Sequence, residues 1–150
     1  MTGYSGTPLW KKLGVKPDGR LLLLGAPPRW SVGALPGGAS EAVAEPSASA
    51  RASTLESAGG AGDVTIAFVS SRAELAGAIE PLAQRIFPEG ALWVAWPRRA
   101  GGHASDIREQ DIRDLALPLG IVDVKVAAID EDWSGLRLVW RKQRRTSRPG

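Results

Sequence analysis

The side chains best suited to chemistry lie in one short loop, which reads PRRAGGHASD. Arg98 and Arg99 could grip a phosphate or carboxylate with their guanidinium groups, and His103 and Ser105 could add hydrogen bonds. The loop follows the apolar run ALWVAW and precedes a predicted helix. Ligands of open α/β sheets bind at the carboxyl ends of the parallel strands. Arg98, Arg99, His103 and Ser105 therefore form a candidate anion site; the alternative is a solvated turn that two glycines make flexible.

A second candidate is the acidic run Asp130, Glu131 and Asp132, which is followed by Trp133. Three carboxylates could hold a divalent cation or act in acid–base chemistry. Metal cages usually draw their oxygen ligands from spaced positions, so we favour an exposed turn whose acids bind the local backbone. The chain has one histidine and no cysteine, which argues against histidine metal sites and excludes thiolate chemistry. We predict no metal, no cofactor and no catalytic residue.

The charge of the chain is unevenly distributed. The formal net charge is +3, but six of the 19 basic residues and none of the 16 acids lie in residues 137–150. A basic end of this kind can attract nucleic acid. No aromatic residue follows Trp140 and no recognition motif is present, so we expect the end to be a solvated tail and nucleic-acid binding to be the weakest hypothesis.

The length and hydropathy of the chain suit one globular domain. It has 150 residues, of which 43% are hydrophobic and 23% charged. No apolar run approaches the roughly 20 residues of a membrane span, and the first residues contain no hydrophobic signal region. We therefore expect a cytoplasmic protein without a membrane partner.

Five strands and three helices must position the candidate loop. Continuous apolar runs bounded by turn residues predict buried strands. The predicted strands are A (20–26), B (63–70), C (91–96), D (121–130) and E (136–142), and the predicted helices are 7–14, 71–87 and 106–117. Pro81 predicts a kink or break near Glu80. Asp106 and Glu109 resemble a capping box, and an acidic cap competes with an anion at that helix end.

Residues 33–62 differ in composition from the rest of the chain. Of these 30 residues, 20 are Ala, Gly or Ser and none is aromatic. Such a segment buries little apolar area to offset its ordering entropy. We predict a flexible insertion, with a frayed helix near 39–45, inside a single domain of residues 1–142 that is followed by a basic disordered tail, 143–150.

The alternation of strands and helices predicts an α/β protein with a mostly parallel sheet. The segments PEGALWV and GIVDVKVAAIDEDWSGLRLVW resemble the second half of the class I methyltransferase fold, over residues 63–142. The resemblance implies a three-layer Rossmann-like sandwich with about five strands in the order A-B-C-E-D. The closing antiparallel hairpin is formed by strands D and E. In strand D, alternation predicts one apolar face, and it places Asp123 and Lys125 together on the other, half-exposed face; the apolar residues are Val122, Val124, Val126 and Ala128.

The first half departs from the methyltransferase pattern. That family places a glycine-rich loop after its first strand and an acidic residue after the second, and these hold the cofactor. After strand A this chain reads GAPPRW, with one glycine and two prolines, and no second strand is visible before strand B. We therefore expect no S-adenosylmethionine site of that kind.

A second resemblance covers about half of the chain. The motifs GYSGTPLWKKLGVK, ALWVAWP and VDVKVAAIDEDWSGLRLVWRK are similar to a family of short bacterial proteins, domain of unknown function 3052. The likeness is weakest over residues 33–62. It implies no established activity, substrate or catalytic residue.

The tryptophans and the sheet edge bear on partners. Trp93 and Trp96 are three apart on strand C, so they point to opposite faces and we expect both in the core. In the predicted order strand A is an edge strand without a charge inside it, which would aggregate if exposed. We expect the N-terminal helix, residues 30–36 or a second subunit to cover it. A homodimer through the strand A edge is therefore a hypothesis.

Three functions remain open at this stage. The first is a non-enzymatic binding or adaptor module on a degenerate Rossmann-like scaffold, because no nucleophile, base or metal set converges. The second is a binder of, or enzyme acting on, a small anionic ligand such as a nucleotide, using the loop after strand C. The third is nucleic-acid association through the tail. The first is our main hypothesis.

Overall fold

A computed structural model describes residues 8–27, 30–33, 35–44, 57–98 and 106–142. It contains three α-helices, six strands and one 3₁₀ helix, Leu117–Leu119, within these residues. The helices are α1 (Leu9–Leu13), α2 (Arg72–Arg85) and α3 (Glu109–Ala116). The strands are β1 (Arg20–Leu24), β2 (Ser40–Ala44), β3 (Val64–Phe68), β4 (Ala91–Pro97), β5 (Ile121–Ala128) and β6 (Trp133–Trp140).

The strands form one sheet in the order β2-β1-β3-β4-β6-β5. The pairs from β2 to β4 are parallel, and β6 runs antiparallel to both β4 and β5. Strands A, B, C, D and E are β1, β3, β4, β5 and β6. The predicted order A-B-C-E-D and the α/β fold class are confirmed, with one additional strand.

The additional strand, β2, corrects the prediction of a frayed helix at 39–45. Residues Ser40–Ala44 pair in parallel with Arg20–Leu24 of β1. An isolated segment of this composition has no reason to extend, but β1 offers a free row of backbone donors and acceptors that an extended segment can satisfy. Strand A is consequently not an edge strand. The edge of β1 that motivated the homodimer hypothesis is covered by β2 of the same chain. The homodimer itself stays a prediction.

The core is divided by the sheet into two clusters. One cluster lies under α2 and α3, and the other lies under α1 and the segment after β1. Trp93 belongs to the α1 cluster and Trp96 packs against the α2–α3 cluster, which confirms that they point to opposite faces. Both faces of β3 are fully buried, as a central parallel strand requires.

Helix α2 is capped by Ser71, and it does not break near Glu80 as Pro81 predicts. The Ser71 hydroxyl accepts a hydrogen bond from the Glu74 N–H at 3.1 Å. The helix continues through Pro81 to Arg85. The buried side chains of Ile79 and Leu82 hold both halves against the sheet, and their packing outweighs the hydrogen bond that Pro81 cannot donate.

A β-bulge in β5 changes the faces that we predicted for this strand. The register shifts between Asp123, which is opposite Leu138, and Lys125, which is opposite Arg137. The two residues therefore point to opposite faces, although the sequence predicts one face for both. Asp123 reaches Arg113 on α3, whereas Lys125 reaches α1. The predicted apolar face of β5 is also wrong, since Val124 is 51% exposed.

No helix in the part of the chain that the structure describes is long and apolar enough to cross a membrane.

Candidate ligand-binding site

The end of β4 is fastened to the β5–β6 turn. The backbone N–H of Arg98 donates to the Asp132 carbonyl at 2.8 Å, and Arg98 Nη1 donates to the Asp130 carbonyl at 2.9 Å. The guanidinium group has further N–H donors. Arg98 is therefore a positioned cation at the carboxyl end of a central strand.

A cleft of about 340 Å³ lies beside Arg98, between the end of β4, the start of α3 and the start of β6. Its volume is within the range of small-molecule sites. Its lining combines apolar and charged side chains: Trp96, Pro97, Arg98, Ile107, Arg108, Glu109 and Ser134. The cleft lies at the carboxyl end of a parallel strand, which is the end of an open α/β sheet at which ligands bind.

The charges around the cleft favour an anion. Glu109 forms an ion pair with Arg113, which also binds Asp123 at 2.9 Å. The hydrogen bonds that Arg113 donates to Asp123 and Glu109 raise the pKa of Arg113, so this cation stays charged and neutralises both carboxylates. Within the described ranges, Arg108 has no ion pair. Arg98 and Arg108 therefore present positive charge to the cleft.

The start of α3 differs from the predicted capping box. The helix begins at Glu109, and the Asp111 carboxylate accepts the Arg108 N–H at 2.9 Å. Asp106 instead accepts the Arg72 N–H of α2 at 2.9 Å. Asp106 could not serve both helices, and the tertiary contact with α2 takes it. The predicted cap at Asp106 and Glu109 was therefore wrong.

Of the four predicted site residues, the structure places Arg98 in the cleft. Arg99, His103 and Ser105 lie outside the described residues. Sequence reasoning missed Arg108, because we placed it inside the helix; the only available signal was a further basic residue close to the same loop.

The acidic turn is structural in the way we favoured. Asp130 Oδ1 accepts the N–H groups of Asp132 and Trp133, both at 2.8 Å, and Oδ2 accepts the Trp30 indole N–H at 2.8 Å. Among the residues that the structure describes, no group of three or more acidic or histidine side chains could hold a metal ion.

The segment after β1 places an aromatic side chain beside the central strands. The Trp30 ring packs edge-to-face on Phe68 at the end of β3, with 4.9 Å between centroids, and Phe68 packs in the same way on Trp133 at 5.0 Å. From β1 the chain continues to β2 on one side, and from β3 it continues to β4 on the other side. The boundary between β1 and β3 is therefore the topological switch point of the sheet. Gly25 follows β1 with a φ of 74°, but Ala26 and Pro27 come next. This agrees with the sequence, which indicated that the loop after β1 is not glycine-rich.

Comparison with known proteins establishes the fold. The chain is similar to LepI in complex with SAM (TM-score 0.53, 9% identity, covering 90% of this chain and 47% of that one). It is also similar to a LepI variant in complex with SAH and a substrate analogue (TM-score 0.50, 11% identity, 89% and 39% covered). A third similar structure is magnesium protoporphyrin IX methyltransferase from Synechocystis PCC 6803 with bound SAM (TM-score 0.49, 14% identity, 70% and 48% covered).

The likeness to the LepI structures supports an α/β, Rossmann-like fold for the described sheet. The chain spans about half the length or less of the solved structures cited. No family model and no curated protein matches it. The resemblance to domain of unknown function 3052 therefore stays a prediction.

Proposed function

We propose that this protein binds a small anionic ligand in the cleft at the carboxyl end of β4. The cleft itself carries this proposal, because it combines the volume of a small-molecule site with two arginines at the ligand-binding end of the sheet. This is the second of the three hypotheses drawn from the sequence. It replaces the adaptor module as our main hypothesis, since an adaptor gives no reason for a charged cleft there.

Arg98 would orient the ligand and Arg108 would add charge. Arg98 is held by the Asp130 carbonyl through one N–H, so its remaining donors are preorganised. Preorganised donors lose little conformational entropy on binding. Arg108 is exposed at the rim of the cleft, so its side chain can change conformation to contact ligands of different sizes. Ile107 and Trp96 supply apolar surface for the uncharged part of the ligand.

The ligand class to test first is an adenosine-containing anion or zwitterion. The LepI structures, which are similar to this chain in fold, are complexes with SAM and with SAH. In this chain, Trp30 packs beside the switch point, and two prolines follow soon after Gly25 in the loop after β1. We therefore propose that any such ligand is held mainly from the β4 side, through its carboxylate or phosphate.

One feature of β2 bears on the same ligand class. The methyltransferase resemblance expects an acidic residue after the second strand, where it binds a ribose. The structure provides the second strand, β2, which the sequence did not reveal, and Glu45 is the next residue in the sequence. Glu45 lies outside the described residues, so we include Glu45→Gln among the variants to be tested with adenosine ligands.

The test is a thermal-shift screen with SAM, SAH, nucleotides and sugar phosphates, followed by calorimetric titration of any hit. We expect Arg98→Ala and Arg108→Ala each to weaken binding about tenfold, the usual consequence of losing one charge-assisted hydrogen bond. Arg141→Ala is the matched control, because Arg141 is exposed at the opposite end of β6. A hit that binds equally to all of these variants would exclude the cleft.

The remaining predicted residues and hypotheses need their own measurements. Arg99→Ala, His103→Ala and Ser105→Ala test whether the other three residues of the predicted anion site contribute to the same titration. Deleting residues 143–150 tests association of the basic tail with nucleic acid, through loss of salt-sensitive retention on DNA. Light scattering at high protein concentration tests the homodimer.

A further inference from the structure

Arg137 is a half-buried cation on the α1 face of β6. Its Nε atom is buried and has no hydrogen-bond partner among the described residues. Its Nη2 atom lies 3.2 Å from the position that a Cβ on Gly14 would occupy, so the guanidinium group lies directly beneath the end of α1. Buried donors in folded proteins are almost always hydrogen-bonded. An arginine without a partner here therefore needs an explanation.

The surroundings of Arg137 do not compensate its charge. Desolvation by burial lowers the pKa of Arg137, and no described acid forms an ion pair with it. The carbonyls at the end of α1 already accept hydrogen bonds from other groups. Lys12 O accepts the Lys125 Nζ at 3.4 Å, Leu13 O accepts the Trp93 indole N–H at 2.9 Å, and Trp10 O accepts backbone N–H groups.

A second cation lies directly opposite Arg137. Lys125 of β5 is its register partner, and the bulge at Val124 turns Lys125 to the α1 face. Without the bulge, Lys125 would share the face of Asp123. Like charges placed opposite each other on one face of an antiparallel pair destabilise the sheet. The bulge thus creates an unfavourable pair, which an anion between the two cations would make favourable.

We propose that Arg137 and Lys125 form a second anion site, which takes a phosphoryl group. A phosphoryl group carries close to two negative charges at neutral pH and can balance both cations. A guanidinium fork and a mobile ammonium together suit a tetrahedral oxyanion. The site lies on the opposite face of the sheet from the β4 cleft, because Ser134 of the cleft and Arg137 are an odd number of residues apart on β6. It therefore does not depend on the proposed function.

The test uses inorganic phosphate and pyrophosphate as probes, in a phosphate-free buffer of low ionic strength. We expect both to raise the melting temperature of the full chain and to give measurable heats of binding. Arg137→Gln should weaken the affinity by about tenfold or more, and Lys125→Ala by a few-fold. Arg141→Ala, which makes the same change in net charge at an exposed position, should bind as tightly as the original chain.

Two further variants keep the inference falsifiable. If Arg137→Gln fails to fold, Lys125→Ala still tests the site, since Lys125 is exposed, and Arg137→Lys should retain part of the affinity. The absence of binding by the original chain would overturn the second site. It would also be overturned if binding were abolished by Arg98→Ala and unchanged in Arg137→Gln or Lys125→Ala, because the phosphate would then occupy the β4 cleft.

Discussion

The two ends of the parallel strands are closed in different ways. At the amino ends, the buried Asp63 carboxylate accepts the backbone N–H of Arg20 at 3.0 Å, the Arg20 Nη2 at 2.8 Å and the Gly60 N–H at 3.1 Å. The segment before β3 is bound to the end of α2, because the Ala58 N–H donates to the Arg85 carbonyl at 2.7 Å. At this end of the sheet the polar groups are therefore hydrogen-bonded to one another, and neighbouring backbone segments are in direct contact.

The carboxyl ends are closed by aromatic rings instead, and they include open space. Trp30, Phe68 and Trp133 pack edge-to-face beside β3, and the 340 Å³ cleft follows beside β4. Edge-to-face rings cover a surface without consuming the hydrogen-bonding groups around it. The difference indicates that the amino end serves stability and that the carboxyl end is the one available to ligands. Substitutions at the two ends should therefore have separable effects.

The largest effect is expected from Gly59→Ala at the amino end. A Cβ at this position would collide with the backbone carbonyl oxygen of Phe87, which cannot move without displacing the turn after α2. Overpacking of this kind destabilises by about 2–3 kcal/mol. Urea denaturation should show this loss as a lower midpoint, with the ligand affinity of the remaining folded protein unchanged.

Gly37→Ala is the control for that substitution. A Cβ at Gly37 has no atom within 4 Å, and its φ is not in the left-handed region. We expect a stability change of less than about 1 kcal/mol, of either sign. Equal losses in the two variants would show that the amino end is no more tightly packed than an exposed turn.

The next largest effect is expected from Asp63→Asn. The amide replaces one carboxylate oxygen by a donor. If it replaces Oδ1, the Arg20 backbone N–H loses its acceptor, and if it replaces Oδ2, the Arg20 Nη2 and the Gly60 N–H lose theirs. Losing a hydrogen bond to a charged, buried group costs about 2 kcal/mol. The Arg20 side chain is 55% exposed, so the ion pair itself adds little to this loss. The measurement is again the free energy of unfolding in urea.

The pH dependence of this difference has a definite sign. Burial raises the pKa of Asp63, but the hydrogen bonds from Arg20 and Gly60 outweigh burial and bring it below its ordinary value of 3.8. The stabilisation is therefore complete above the unfolded pKa and is lost as pH falls through the lower, folded pKa. We expect the difference in the free energy of unfolding between the original chain and Asp63→Asn to be constant from about pH 5 to 7. The difference should become smaller below about pH 4. A gap that widens in acid would contradict the assignment.

Some parts of the fold could be predicted from local sequence pattern, and others depend on pairing with a distant segment. Runs such as ALWVAW are apolar on both faces, so their identity as central strands follows from local pattern. SEAVA contains good helix formers, and it becomes a strand only because β1 lies beside it. Pairing with a distant partner has no signature in a five-residue window.

The candidate site was predictable to the same extent. The position of the loop after β4 followed from the topology, and Arg98 lies there. Arg108 and the start of α3 depended on which helix Asp106 would bind, which is a tertiary contact. Arg137 lies in β6, as predicted for strand E, but the bulge opposite it in β5 is not visible in the periodicity. The amino-acid composition shows how many cationic side chains the chain has, but it does not show which of them are buried.

The smallest effect is expected from Trp30→Phe at the carboxyl end. The phenyl ring can still pack on Phe68, but the hydrogen bond to Asp130 Oδ2 is lost. Asp130 keeps its bonds from the N–H groups of Asp132 and Trp133, so no buried charge is left without a partner. We expect a loss of about 1 kcal/mol, at the low end for a bond to a charged group.

Hydrogen exchange distinguishes this loss from a general destabilisation. With Trp30 released from Asp130, the amides of Asp132 and Trp133 should exchange faster, while those of β3 stay protected. Trp10→Phe is the control, because Trp10 packs on the same core cluster and no bond of its indole N–H is described. If Trp30→Phe instead deprotects the sheet as strongly as Gly59→Ala does, the carboxyl end is as essential to stability as the amino end. If it leaves the protection of the sheet unchanged, the aromatic contact covers the switch point without supporting the fold. Substitutions that enlarge the space at the switch point should then lower the free energy of unfolding only slightly.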